Sequence, residues 1–159
     1  MNKKTTTLWI GGLGLLVAAA PVVAHHAFGA EFDRDAPIRI EGRITRLEWV
    51  NPHTWVHIAV SEMVIGGSTV TPSDPTQEVW AVEGGTPNTL LRRGLRRECM
   101  AIGTEVIVDG YQTKDHSLKR ANGRDITFAD GSKIFLGSSG TGAPYEADAV
   151  AQREAAGRC

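Results

Sequence analysis

Five histidines carry most of the chemistry this sequence offers: His25, His26, His53, His57 and His116. If a protease cuts after Ala24, His25 becomes the first residue, and its α-amine and imidazole can chelate one metal together. A third nitrogen from another histidine would complete a T-shaped brace. Flattened, nitrogen-rich coordination suits Cu(II), whereas Zn prefers a tetrahedral set. Amine and imidazole both shed a proton near neutral pH, as metal ligands must. Copper is therefore the one cofactor the sequence suggests, and a copper redox enzyme is the remotest form of that reading. His53 and His57 share one strand face roughly 13 Å apart, at about 3.3 Å per residue, too far to hold one ion together. His53, beside Asn51-Pro52, is the preferred third ligand, followed by His57. His26 and His116 are weaker candidates, His116 because it sits in the polar run Thr113–Ser117. The plainer reading is that a His-His start binds copper adventitiously and that His53 and His57 are ordinary half-exposed strand residues.

Two further constellations suit binding rather than catalysis. Arg92, Arg93, Arg96 and Arg97 crowd around the end of a short helix. Their planar guanidinium forks suit carboxylates or phosphates, although a solvated helix C-terminus, where cations meet the dipole, needs no partner. Among the aromatics Trp49, Trp55, Trp80 and Tyr111, strand phase sets Trp55 opposite the aliphatic positions, which makes it the best ligand platform. Trp49 and Trp80 read as core. Catalytic signatures such as G-x-S-x-G, H-E-x-x-H or a Walker loop are missing, so the chain reads as non-catalytic.

The first 24 residues differ from the rest. Lys3 and Lys4 precede an apolar run from Leu8, closed by Pro21-Val22-Val23-Ala24, the order of a signal peptide. An uncleaved anchor is the rival reading, because the apolar stretch of about 17 residues reaches the short edge of a membrane span. Cleavage places residues 25–159 in the periplasm or outside the cell, with no stable membrane span. It removes two lysines and no acids, so the formal charge moves from −1 to −3. That balance argues against nucleic acid as a partner and leaves a periplasmic protein or a small molecule. Export permits a disulfide between Cys99 and Cys159; a buried Cys99 with a loose terminal thiol is the alternative.

These residues must be positioned mainly by strands. Ile38, Ile40 and Ile44 alternate at period two, and the parity then shifts to Leu47 and Trp49, which predicts a β-bulge. His53–Val60 is a second strand, residues 62–77 a long hairpin loop, and Gln77–Glu83 a third strand. Thr86-Pro87-Asn88 opens a two-turn helix with Leu90 and Leu91 inward and Gly94 at its end. Gly103–Tyr111 is a fourth strand, and Asp130-Gly131 predicts a type I′ hairpin between residues 124–129 and 132–136. The order predicts an all-β fold with one short helix, an OB-like small closed β-barrel of five to six strands. A small antiparallel β-sandwich is the alternative.

Several segments together resemble a family of exported bacterial proteins that is a domain of unknown function. They are Ala24-His25-His26-Ala27-Phe28, Glu48-Trp49-Val50-Asn51-Pro52-His53, the run Gly85–Gly94, Gly110-Tyr111 and Gly137-Ser138-Ser139-Gly140. The match covers roughly residues 24–144. It implies export and a compact β-rich fold, and it brings no activity, cofactor or catalytic residue with it. The expected organisation is a signal peptide over 1–24, an N-terminal arm over 25–36, the barrel over 37–136, and a flexible Gly/Ser then Ala/Glu-rich tail over 137–159.

Overall fold

The computed structural model describes residues 27–137. The chain divides into a first unit ending at Glu31, whose described part is helix α1 (Ala27–Glu31), and a second unit beginning at Phe32. The second unit is built from strands β1 (Phe32–Glu48), β2 (Trp55–Ile65), β3 (Ser68–Val70), β4 (Val79–Glu83), β5 (Glu105–Thr113), β6 (Arg120–Phe128) and β7 (Lys133–Phe135), with helix α2 (Pro87–Arg92) after β4. Among the described residues no helix is long and apolar enough to cross a membrane.

Five of these strands close into a ring in the order β1, β5, β6, β4, β2 and back to β1. All ring pairings are antiparallel except β4 with β6. β3 and β7 hang from the ring on β2 and β6, giving seven strands in one mixed sheet. The expected all-β class with one short helix between the third and fourth ring strands is what the chain forms. A two-layered antiparallel sandwich is not, because a single sheet closes on itself and contains a parallel pair.

Closure depends on β1, which serves two seams. It pairs with β5 through Phe32–Arg43 and with β2 through Ile38–Glu48. Thr45 is skipped in the register between Ile44 and Arg46, the bulge that the change of parity predicts. A second shift at Glu41/Gly42 leaves Ser61 of β2 unmatched. At Gly42 the partner strand passes so close that an added Cβ would lie 2.1 Å from the Ala59 carbonyl oxygen.

Inward residues fill the ring: Ile40, Ile44, Ile58, Val60, Val82 and Ile126 are all buried. α2 plugs one end. Thr86 accepts the Thr89 N–H and Pro87 starts the helix, where a missing N–H costs nothing. Leu90 is fully buried, but Leu91 is 49 % exposed, contrary to the expectation that both face inward. Successive helical residues point about 100° apart, and the second inward position falls to Leu95. The Gly94 backbone, at φ +88°, turns the chain so that the Leu95 N–H bonds the Leu90 carbonyl and the Gly94 N–H bonds that of Leu91.

Two turns differ from expectation. The stretch 62–77 is not one loop: Gly66 and Gly67 both take positive φ, so β2 runs on to Ile65 and folds back as β3. At Asp130-Gly131 only the glycine has positive φ, which rules out type I′. Gly131 N–H bonds the Phe128 carbonyl and the Asp130 carboxylate accepts the Ser132 N–H, a three-residue loop with the glycine in the left-handed position.

Candidate functional site

Along β2, Val56, Ile58 and Val60 turn inward, so Trp55, His57 and Ala59 turn outward. The register sets Trp55 beside Glu83 of β4, and Glu83 beside Asn122 of β6. This outward row is not solvated. Glu83 is only 7 % exposed and Asn122 not at all. Asn122 donates its Nδ2–H to Glu83 Oε1 at 3.3 Å, and His53 Nδ1 approaches the same oxygen to 3.3 Å. The His53 contact is an ion-pair distance without hydrogen-bond alignment. The Asn122 amide orientation follows from its partner, since the flipped group would set oxygen against carboxylate. That leaves Asn122 Oδ1 buried with no hydrogen-bond partner among the described residues, as are His53 Nδ1 and the Thr54 hydroxyl. Over the half-buried Trp55 ring lies the Arg120 guanidinium, 4.6 Å from its centre. Trp55, Glu83, Arg120 and Asn122, from three strands, thus form one cluster with His53 from the segment before β2.

The three described histidines diverge, each to its own carboxylate. His53 meets Glu83; His57 Nε2 lies 2.8 Å from Glu48 Oε1 and 2.9 Å from the Arg46 guanidinium; His116 Nε2 lies 3.8 Å from Asp33. Arg46 also contacts Glu48 directly. Among the described residues no group of three His, Cys, Asp or Glu side chains is arranged to hold a metal. His25 and His26 lie outside the described residues. His57 therefore uses its Nε2 within the fold, whereas His53 faces Glu83 through Nδ1 and has no described partner on Nε2.

The His57 hydrogen bond, reinforced by the charge of Arg46, holds the Glu48 carboxyl below its ordinary value of 4.5. A carboxyl depressed by folding stabilises the native state above its unfolded pKa, and that contribution disappears as pH falls through the folded value. In His57→Ala the Glu48 titration, followed by carbon NMR of the carboxyl, should move back up towards 4.5.

The arginines do not act as one cluster. Arg93 turns in: its guanidinium donates to the carbonyls of Phe135 and Gly137 and stacks 4.5 Å over the Phe135 ring. Burial, and then the charge of Arg92, push its pKa down. Arg92 donates to the Thr89 hydroxyl, while Arg96 and Arg97 are exposed. Trp80 is buried in the core with its indole N–H on Glu78, and Trp49 packs partly against that core. Cys99 is buried and disulfide-bonded; the second cysteine, Cys159, lies outside the described residues. A separate groove of about 560 Å³ runs between Glu41, Arg43, Ser61, Thr76, Ile107 and Phe128.

Sequence reasoning missed Glu83, Arg120 and Asn122. The signal for Glu83 was present: it is an acid at an outward position directly after the apolar run Val79–Val82. Arg120 and Asn122 were hidden because β6 starts at residue 120, before the apolar alternation becomes visible at Ile126.

No curated protein and no solved structure matches the chain. The model of a family of unknown function (DUF6152) matches residues 13–122, more than half of the chain, and the chain belongs to that family.

Proposed function

We propose that this is an exported, non-catalytic binding module: an OB-like barrel whose ligand site is the outward face of β2, β4 and β6 around Trp55. The observation that carries the reading is the cluster on that face. A half-buried indole adjoins a buried carboxylate and a buried amide whose oxygen has no described partner. Buried polar groups in folded proteins are satisfied in the great majority of cases, and binding sites combine apolar surface with a few well-placed polar groups. Ring order and helix position support the barrel, since OB-like folds bind ligands on the face carrying their second and third strands. The lysine-led apolar leader ending at Ala24 supports export to the periplasm. Trp55→Ala should remain folded and lose a small molecule that native mass spectrometry finds on the wild-type protein purified from the periplasm. An unchanged ligand complement in the variant, or none on the wild type, would count against the reading.

Copper binding at the mature N-terminus is the second reading, and one observation favours it. A metal-ligating imidazole donates its other ring N–H to a carboxylate or carbonyl. His53 brings Nδ1 within 3.3 Å of Glu83, without an aligned hydrogen bond, and has no described partner on Nε2, whereas His57 Nε2 is taken by Glu48. The expected result is a protein that begins at His25 on N-terminal sequencing and whose Cu(II) paramagnetic resonance spectrum changes in His53→Ala but not in His57→Ala. A different first residue, or identical spectra in all three proteins, contradicts it.

A further inference from the structure

We propose that the groove over β1, β2, β5 and β6 is a second binding site, for a small amphiphilic cation: an ammonium group on an apolar body. It stands independently of the Trp55 face. Its charge comes from a gap in a ladder of ion pairs. On the outward side of β1, Arg39, Glu41 and Arg43 stand opposite Asp109, Ile107 and Glu105 of β5. Arg39 pairs with Asp109 at 2.9 Å, and Arg43 contacts Glu105. Between them, Glu41 faces only the isoleucine. Its partner in register on the other side, at the bulge in the β1–β2 pairing, is Glu62. Both glutamates are exposed, and neither side chain has an ion pair or hydrogen bond among the described contacts. Like charges directly opposite one another on neighbouring strands are destabilising. One rung of the ladder lacks its cation.

That gap opens on the groove, whose volume of about 560 Å³ lies in the range that encloses a small molecule. Glu41 lines it together with Ala59, Ile107, Phe128 and Ala129, so one unpaired carboxylate borders an apolar surface. The Ser61 hydroxyl donates to the Glu41 carbonyl at 3.1 Å and leaves the carboxylate to a ligand. Charge sorts the candidates. An anion would meet Glu41, because the Arg43 guanidinium already contacts Glu105 and the Gly103 carbonyl. A neutral apolar molecule would leave the two carboxylates opposed. A calcium ion takes six or more oxygen ligands, and among the described residues no group of three His, Cys, Asp or Glu side chains is arranged to hold a metal. An ammonium group is satisfied by fewer acceptors, which its N–H donors can reach from several directions. Its apolar body then covers Ile107 and the two alanines.

The test is an NMR titration of the full protein, purified from the periplasm, with phenethylamine, phenethyl alcohol, hydrocinnamate and calcium chloride. The expected result is a saturable shift of the Ile107, Thr127 and Ala129 amides with the amine. Its affinity should exceed that of the alcohol by about two- to fivefold, the worth of an exposed ion pair, and hydrocinnamate should not saturate. Glu41→Gln combined with Glu62→Gln should erase the preference for the amine. Thermal melting of that variant should stay at or above the wild-type value, because only two unpaired like charges are removed. Trp55→Ala should bind the amine as the wild type does, which keeps the fate of this site separate from that of the Trp55 face. No saturable shift with the amine at millimolar concentration, or equal affinity for amine and alcohol, overturns the proposal. So does a preference for the amine that survives in the double variant. Calcium moving the same amides at lower concentration than the amine overturns it in favour of a metal.

Discussion

Replacing Gly110 by alanine should destabilise the ring by about 3 kcal/mol or more, with Gly42→Ala close behind, because overpacking against rigid neighbours lies at the severe end of single substitutions. An added Cβ at Gly110 would lie 2.2 Å from the Asn122 carbonyl oxygen, and one at Gly42 would lie 2.1 Å from that of Ala59. Both obstacles are backbone atoms of a hydrogen-bonded neighbour strand, so no side chain can swing aside. The ring must open locally at the β5–β6 or the β1–β2 seam. Gly29, where nothing lies within 4 Å of the added carbon, is the control and should tolerate alanine. Urea unfolding of the three variants measures the difference, and a Gly110→Ala midpoint close to that of the wild type would show that the strands pass with more room than described. Gly110→Ala also presses on Asn122, so it should damage the candidate site even where the variant still folds.

Arg93→Glu should be nearly as severe, also about 3 kcal/mol, while Arg96→Glu combined with Arg97→Glu should leave stability almost unchanged. The Arg93 guanidinium ties α2 to the segment after β7 through the Phe135 and Gly137 carbonyls and through the Phe135 ring. Reversing its charge aims a carboxylate at two carbonyl oxygens and abandons two half-buried acceptors. Arg96 and Arg97 are exposed and carry no such ties in the described contacts. Thermal melting separates the cases. Equal effects in the two variants would restore the view of these arginines as one solvated group. Towards an anionic protein partner, the exposed Arg92, Arg96 and Arg97 present the charge, and Arg93 does not.

The frame was legible where local rules act alone. Alternation at Ile38, Ile40 and Ile44, the parity change at Thr45, the Thr86-Pro87 start of α2 and the inward set Val56, Ile58 and Val60 all follow from side-chain periodicity and capping. Legibility failed where a residue's role is set by something distant in sequence. Leu91 loses its inward place to Leu95 because the turn at Gly94 decides which side chain reaches the core. The β2–β3 hairpin hides in a polar stretch because its only signal is the pair Gly66-Gly67. Glu83 and Asn122 meet across a parallel pairing of residues 39 apart, and no local pattern announces such a contact. The same distance effect divided the four arginines, since Arg93 finds its partners 42 and 44 residues further on. The histidines were legible as candidates, but only the carboxylate each one faces distinguishes His53 from His57.

The central claim, that ligand is held on the face around Trp55, is tested most directly by mapping backbone amide and indole shifts as the small-molecule fraction of a periplasmic extract is added to the labelled protein. The expected shifts converge on Trp55, His53, Glu83 and Asn122 and vanish from the neighbouring amides in Trp55→Ala. Shifts that gather instead along the groove beside Ile107 and Phe128, with the Trp55 indole unmoved, would contradict it.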